Sequence, residues 1–203
     1  MSKTSIYLKE SATGKLVKAA LLDEIADAHL AMWVASWCSE MERHCAGRIL
    51  QNKPEDHHWD WKAKAAHWRP LLGYHSFAIV CQGELQGLMM ANDLQSARLP
   101  IQFGKALVYV EYLATAPWNR SEVQMPPRFS GVGTTFISAA IELSRTIGYR
   151  GRIGLHALPM AESFYLEKCK MDALGRDTAC QSLMYFELTE EKAELFRQDG
   201  RNR

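Results

Sequence analysis

The spacing of apolar and polar positions changes several times along the chain, and each change marks an element. Residues 5–8 and 15–19 alternate around the turn Ser11-Ala12-Thr13-Gly14 and predict two short strands. From about residue 22 to 46 the period becomes helical. Ala26, Leu30, Trp33, Trp37 and Met41 fall three or four apart, and Gly47 ends the run. A second, more polar helix is expected over residues 55–68, stopped by Pro70. Beyond Pro70 the period drops to two: residues 74–81 and 85–91 read as a hairpin closed by Gln82-Gly83-Glu84, and residues 106–115 as a third strand. Gly131 to Ile147 reads as a helix with Phe136, Ala140, Leu143 and Ile147 on one stripe and Gly148 behind it. A strand at 152–156, a helix at 161–169, closing strands at 173–174 and 183–188, and a last helix capped by Thr189 complete the pattern. The connections 92–105 and 116–130 are expected to have little structure of their own.

An antiparallel run followed by strand–helix–strand–helix–strand predicts a mixed α/β domain. With 203 residues, 47% of them hydrophobic, the chain can bury one sizeable core, so 1–203 is read as a single domain. A formal net charge of +1 gives no electrostatic reason to expect a nucleic-acid partner or an anionic membrane. No apolar run is long enough to span a bilayer, and the polar start shows no secretory signal. Five cysteines, an odd number without a Cys-x-x-Cys pair, read as reduced, mostly buried thiols, and the expected location is cytoplasmic.

The chemistry concentrates in one stretch. A strand ends in Leu113-Ala114-Thr115-Ala116-Pro117, and a linker leads to Arg128-Phe129-Ser130-Gly131-Val132-Gly133-Thr134, where glycines open a helix. A helix N-terminus offers unpaired N–H groups and partial positive charge, and glycine lets a phosphate approach closely. The spacing fits neither a P-loop nor a dinucleotide fingerprint. Elsewhere, the block Glu55-Asp56-His57-His58-Trp59-Asp60-Trp61 places His57 and Asp60 three apart but has no recognised ligand spacing, so no metal is expected. Cys169 lacks an identifiable activating base for a nucleophilic role. The polar tail carries Arg197, Arg201 and Arg203 and reads as a frayed end.

Arg128-x-x-Gly131-x-Gly133 is similar to the phosphate-turn signature of the GNAT acyltransferases, and Leu113–Pro117 resembles the strand that precedes it. Leu155-His156-Ala157-Leu158-Pro159, with Ala161-Glu162-Ser163-Phe164-Tyr165 and Cys169-Lys170-Met171 beyond, resembles the family's last strand and helix. The three motifs stand in family order and cover about residues 106–188. Lys170 departs from the usual glycine, Thr115 from the frequent valine, and the linker from Ala116 to Arg128 is longer than the common form.

The resemblance implies an α/β fold with a mixed central sheet, mostly antiparallel, splayed in the middle and flanked by helices. It divides the domain into 1–105, with helices at the acceptor site, an acyl-CoA-binding half at 106–188, and a C-terminal helix and tail at 189–203. It implies acetyl-CoA as co-substrate and direct attack by a primary amine of a small molecule or peptide. Leu113, Ala114 and Thr115 would meet the pantetheine arm, the Leu113 N–H serving as oxyanion donor. Arg128, Phe129, Ser130, Gly131, Val132, Gly133 and Thr134 would hold the pyrophosphate. Glu111 is the implied base, against a Glu simply paired at a strand edge; it shares a strand face with Tyr109. Tyr165 is the implied donor to the departing sulfur, against a core tyrosine. His156 would bond cofactor or substrate, or sit satisfied in the core. Trp33, Trp37, Trp59 and Trp61 would either line the acceptor site or pack the core. A non-catalytic acyl-CoA-binding sensor or scaffold and a toxin-like acetyltransferase acting on translation components are the rival readings, and a homodimer is left open.

Overall fold

The computed structural model describes residues 2–49 and 53–201. Its strands are β1 (Lys3–Glu10), β2 (Leu16–Leu22), β3 (Tyr74–Cys81), β4 (Glu84–Ser96), β5 (Ala106–Thr115), β6 (Phe129–Ser130), β7 (Ile153–Ala157), β8 (Asp172–Asp177) and β9 (Leu183–Leu188). The α-helices are α1 (Asp27–Met32), α2 (Ser39–Cys45), α3 (Trp61–Trp68), α4 (Val132–Thr146) and α5 (Glu190–Arg201). The strands form one mixed sheet of nine, in the order β6-β1-β2-β3-β4-β5-β7-β9-β8, as expected for a single α/β domain flanked by helices. Contacts divide the chain into two compact units, Met1–Met89 with Leu113–Gly133, and Met90–Tyr112 with Thr134–Arg203. No helix among the described residues is long and apolar enough to cross a membrane.

In the first unit β1 runs antiparallel to β2 from Lys3–Leu22 to Lys9–Leu16, and β2 runs antiparallel to β3. The β3–β4 turn has Gln82 at φ 53° and Gly83 at φ 78°, the mirror-image conformation whose twist suits a two-residue hairpin. Between α1 and α2 the chain winds as a π-type turn, Trp33–Cys38. The helix expected over residues 55–68 starts only at Trp61. Asp60 stops it from extending backwards, because its side chain accepts from the amides of Lys62 (2.9 Å) and Ala63 (3.0 Å).

In the second unit β5 and β7 pair in parallel from Val108–Ile153 to Val110–Leu155, β7 and β9 pair antiparallel, and β8 joins β9 through a bulge. The buried residues of α4 are Val132, Phe136, Ile137, Ala139, Ala140, Ile141 and Ser144, with Leu143 and, just beyond the helix, Ile147 only half-buried. The expected helix at 161–169 is present, opening with a 3₁₀ turn, Pro159–Ala161, and winding as a π-helix over Phe164–Lys168, whose closing amide, on Cys169, reaches the Phe164 carbonyl at 3.1 Å. Lys170 closes it at φ 56°. The usual glycine there thus has a backbone reason: a left-handed residue with a Cβ costs about 1 kcal/mol.

The two connections expected to lack structure are ordered. β4 extends to Ser96, Pro100–Gln102 makes a 3₁₀ turn, and Ala97 and Lys105 bond across the loop at 2.8 Å. The second carries a 3₁₀ turn at Pro117–Asn119 and the two-residue β6, which pairs with β1. All five cysteines are free; Cys81 and Cys169 are buried and the other three half-buried. Of the expected polar tail, α5 takes up residues to Arg201, and Asn202 and Arg203 lie outside the described residues.

Candidate functional site

The bend that opens α4 is built in the first unit. Gln86, fully buried, holds the linker that leads into it. Its Oε1 accepts from Trp118 Nε1 (2.9 Å) and Asn119 Nδ2 (3.0 Å), and its carbonyl accepts from the Ala116 amide (2.9 Å). Asn119 passes the constraint on, its Oδ1 accepting from the Phe129 amide at 3.0 Å. The Arg128 amide donates to the Trp118 carbonyl (2.8 Å), and the Arg128 carbonyl accepts from Ser11 (3.0 Å). Phe129 is 1% exposed, so it anchors the bend and faces no solvent. The guanidinium of Arg128 pairs with Glu84 and bonds Gln82 at 3.2 Å, turned to the β3–β4 hairpin. Ser130 and Gly131 are both exposed, with Gly131 at φ 98° and α4 starting at Val132, followed by Gly133 and Thr134. That φ excludes an ordinary side chain, and the first amides of a helix have no intrahelical acceptor.

The end of β5 lies in the same unit. Ala114 is buried, while Leu113 and Thr115 are half-buried. The Thr115 carbonyl accepts from Arg120 Nε at 2.8 Å, and the same guanidinium grips Asp56 with two bonds of 2.6 and 2.8 Å. Arg120 and Asp56 are largely buried, so this fork is a firm anchor. Neither residue carries a local sequence signal for the pairing.

Beside that anchor is a cavity of about 260 Å³ with tryptophan walls: Trp33, Trp37, Trp59 and Trp61 line it, with Glu42 and Asp60. Trp37 and Trp61 are core residues, 3% and 2% exposed, and Trp37 Nε1 donates to the Leu85 carbonyl at 3.0 Å. Core packing thus holds for Trp37 and Trp61, while Trp33 and Trp59 are half-buried at the cavity wall. His57 Nδ1 donates to the Pro54 carbonyl at 2.8 Å, and Asp60 is occupied as the cap of α3.

The second unit holds Glu111, His156 and Tyr165. Asn92, fully buried, donates from Nδ2 to Glu111 Oε1 at 2.7 Å. His156 on β7 sits inside a polar chain, its Nδ1 2.5 Å from the Tyr109 hydroxyl and its Nε2 3.1 Å from Asp177 Oδ2. A carboxylate acceptor at Nε2 fixes the tautomer, so Nδ1 accepts from the phenol. Arg98 donates to the same Asp177 oxygen at 2.5 Å and lies over the Tyr185 ring at 4.3 Å. Glu187, fully buried, holds the loop carrying Arg98 by accepting from the amides of Arg98 and Leu99 (3.0 Å) and from Gln102 Nε2 (2.9 Å). Burial lowers the His156 pKa, and Arg98 holds Asp177 down at about 2. Both ring nitrogens of His156 are thus engaged, and a bond to a cofactor would have to displace a partner.

Donor atoms of His156, Asp177 and Cys180 lie within 4.8 Å of one another, a grouping with the donor types of a zinc site. The Arg98 cation already occupies the Asp177 oxygen such an ion would use, so the cluster reads as a hydrogen-bonded chain. Tyr165 is buried in an aromatic stack, 5.1 Å from the Phe164 centroid and 5.9 Å from Phe186, and burial raises its pKa. Burial also pushes the Cys169 thiol up to about 12, which suppresses the thiolate a nucleophile needs.

No protein-family model matches the chain, and no curated protein matches it. Solved structures do. An uncharacterised protein from Bacillus halodurans superposes with a TM-score of 0.61 over 97% of this chain and 95% of its own, at 8% identity. A protein assigned to the GNAT acetyltransferase family from Desulfovibrio desulfuricans gives 0.54 over 85% and 99%, at 12% identity. The PaiA N-acetyltransferase of Thermoplasma acidophilum, solved with coenzyme A, gives 0.52 over 83% and 97%, at 11% identity. At such identities the likeness is one of architecture: the chain has the GNAT fold.

Proposed function

We propose that the chain is an acyltransferase that moves an acetyl group from acetyl-CoA to a primary amine of a small molecule or peptide by direct attack. The observation that carries this reading is the exposed Ser130-Gly131 bend at the head of α4, braced from behind by Gln86, Asn119 and Phe129. Helix-end amides suit a pyrophosphate. The Thermoplasma enzyme's complex with coenzyme A supports the choice of cofactor. In this reading Ser130 to Thr134 form the phosphate cradle, while Arg128 and Phe129 serve as its frame. Ala114 is buried; Leu113 and Thr115 meet the pantetheine arm. The Thr115 carbonyl is engaged by Arg120, and the Leu113 N–H is assigned as the oxyanion donor.

Glu111, oriented by Asn92, takes a proton from the acceptor nitrogen so that it attacks as the neutral amine, directly or through water. In this reading Tyr165 is the group assigned to the departing sulfur. A phenol at its ordinary pKa of about 10 is already a weaker acid than a thiol at about 8.5, and burial raises it further, so Tyr165 stabilises the thiolate by hydrogen bonding and keeps its proton. This chemistry needs no metal. The near-neutral charge fits a cytoplasmic enzyme of one domain without a nucleic-acid or membrane partner.

Calorimetry with coenzyme A and thiol release from acetyl-CoA across an amine panel test the reading. Tyr165→Phe should lower turnover roughly 10- to 100-fold while leaving acetyl-CoA affinity in place. Binding by the wild-type protein without turnover on any amine would favour the non-catalytic acyl-CoA module instead.

A further inference from the structure

We propose that Tyr109 and His156 are positioning residues for Glu111: His156 orients the Tyr109 hydroxyl, and the direction of that hydroxyl sets how strongly Glu111 holds a proton. The role of Glu111 as base rests on the acyltransferase reading above; the coupling itself rests on the polar chain of the second unit.

Tyr109 and Glu111 stand two residues apart on β5, so their side chains leave the same face of the strand, with Cα atoms about 7 Å apart. The charge of Glu111 is felt at the Tyr109 hydroxyl: burial raises the pKa of that phenol first, and the Glu111 carboxylate raises it further. On its other side the hydroxyl meets His156 Nδ1 at 2.5 Å, and His156 Nε2 meets Asp177 Oδ2 at 3.1 Å. The imidazole side chain is only 5% exposed, so these two partners hold the ring.

A phenol has one proton to give, and that makes the chain directional. With His156 neutral, Nε2–H donates to Asp177, Nδ1 accepts, and the Tyr109 proton points at the ring. The phenol then presents only lone pairs to Glu111, which disfavours the carboxylate's charge and makes it the stronger base. With His156 charged, both ring nitrogens donate. The phenol oxygen must accept from Nδ1, and its own proton turns towards the carboxylate on the same strand face, directly or through water. A carboxylate accepts at about four sites, so bonds from Asn92 and from the phenol are compatible. A donor to the carboxylate favours its charged form and makes Glu111 the weaker base.

The groups around the imidazole fix when this happens. Burial lowers its pKa, the bond to Asp177 at the end of β8 raises it, and Arg98 from the β4–β5 loop lowers it. The Tyr185 ring on β9 lies 4.8 Å away, and Cys180 completes the surround, its Sγ within 4.8 Å of the His156 and Asp177 donor atoms. The midpoint lies below the ordinary 6.5, so near neutral pH His156 is uncharged and Glu111 is kept in its more basic state.

The test follows the carboxyl carbon of Glu111 and the ring of His156 by NMR in the full-length protein from about pH 4 to about pH 8, with Glu111 assigned by its loss in Glu111→Gln. The wild-type Glu111 signal should show a second inflection at the His156 midpoint. Tyr109→Phe should remove that inflection while His156 still titrates, and His156→Gln should remove it too. Thiol release from acetyl-CoA, with the fastest amine of the panel, should show an acid limb of kcat/KM steeper than a single protonation allows. Tyr109→Phe should turn it into a single-protonation limb, a difference of roughly three- to tenfold at about one pH unit below the His156 midpoint. A Glu111 signal indifferent to His156, or an inflection that survives in Tyr109→Phe, would overturn the proposal; should Tyr109→Phe fail to fold, the wild-type and His156→Gln titrations decide it. Turnover without the coupling would sink this inference and leave the acyltransferase reading standing. Coupling without thiol release on any amine would leave the hydroxyl device standing and remove Glu111 from catalysis.

Discussion

The polar chain of the second unit and the cavity of the first are made of similar parts, aromatic rings and carboxylates, put to opposite uses. In the chain, Asp177 bonds His156, Arg98 and the Ala179 amide, and the buried Glu187 bonds three donors of one loop. Around the cavity, Glu42 is exposed on α2, and Trp33 and Trp59 are half-buried. A carboxylate whose partners come from its own fold contributes to stability. An exposed one contributes little to it. The two regions should therefore respond differently to the same kind of substitution.

The sharpest break is Glu187→Ala. It strands two amides and the Gln102 side chain in a buried place and should cost about 3 kcal/mol, lowering the Tm by roughly 6–12 °C in a calorimetric melt. A loss near zero would mean that the loop carrying Arg98 is held by something else. Next comes pH. Burial keeps the folded-state pKa of His156 below its ordinary 6.5, so as pH falls through that value the unfolded chain takes up a proton that the folded one resists. Stability is fully present above about 6.5 and declines below it. His156→Gln should flatten the fall in Tm between about pH 7 and pH 5. Asp177 adds a separate loss, from its ordinary 3.8 down towards about 2, caused first by Arg98. The smallest effect belongs to the cavity: Glu42→Gln should change folding stability by less than about 0.5 kcal/mol. A large stability loss there would erase the contrast between the two regions.

The elements read from the chain with fewest errors were those whose signal is local. β3, β5 and β9 have the bounds that their apolar runs announce, and Thr189 caps α5 through the Lys192 amide at 3.2 Å. The π-type turns were not legible, because an extra residue within a turn leaves the three-or-four spacing of Trp33, Trp37 and Met41 looking helical. β6 was missed because two residues become a strand only by pairing with β1. At the candidate site, the glycine bend was visible from its motif, whereas Asn92, Asp177 and Arg98 come from distant stretches with no shared pattern. Arg128 shows the limit of a motif: its position was predicted, but the direction of its side chain depends on Glu84 and Gln82 forty-odd residues earlier.

The long linker before α4 is crossed by two bonds, from the Arg128 amide to the Trp118 carbonyl and from the Phe129 amide to Asn119. Everything between those crossings is a purse closed at its neck. Its tip, with Ser121, Glu122, Gln124 and Met125 exposed, can grow or shrink without pulling on the neck. An epitope or fluorophore spliced into that tip would travel with the protein and leave the bend undisturbed.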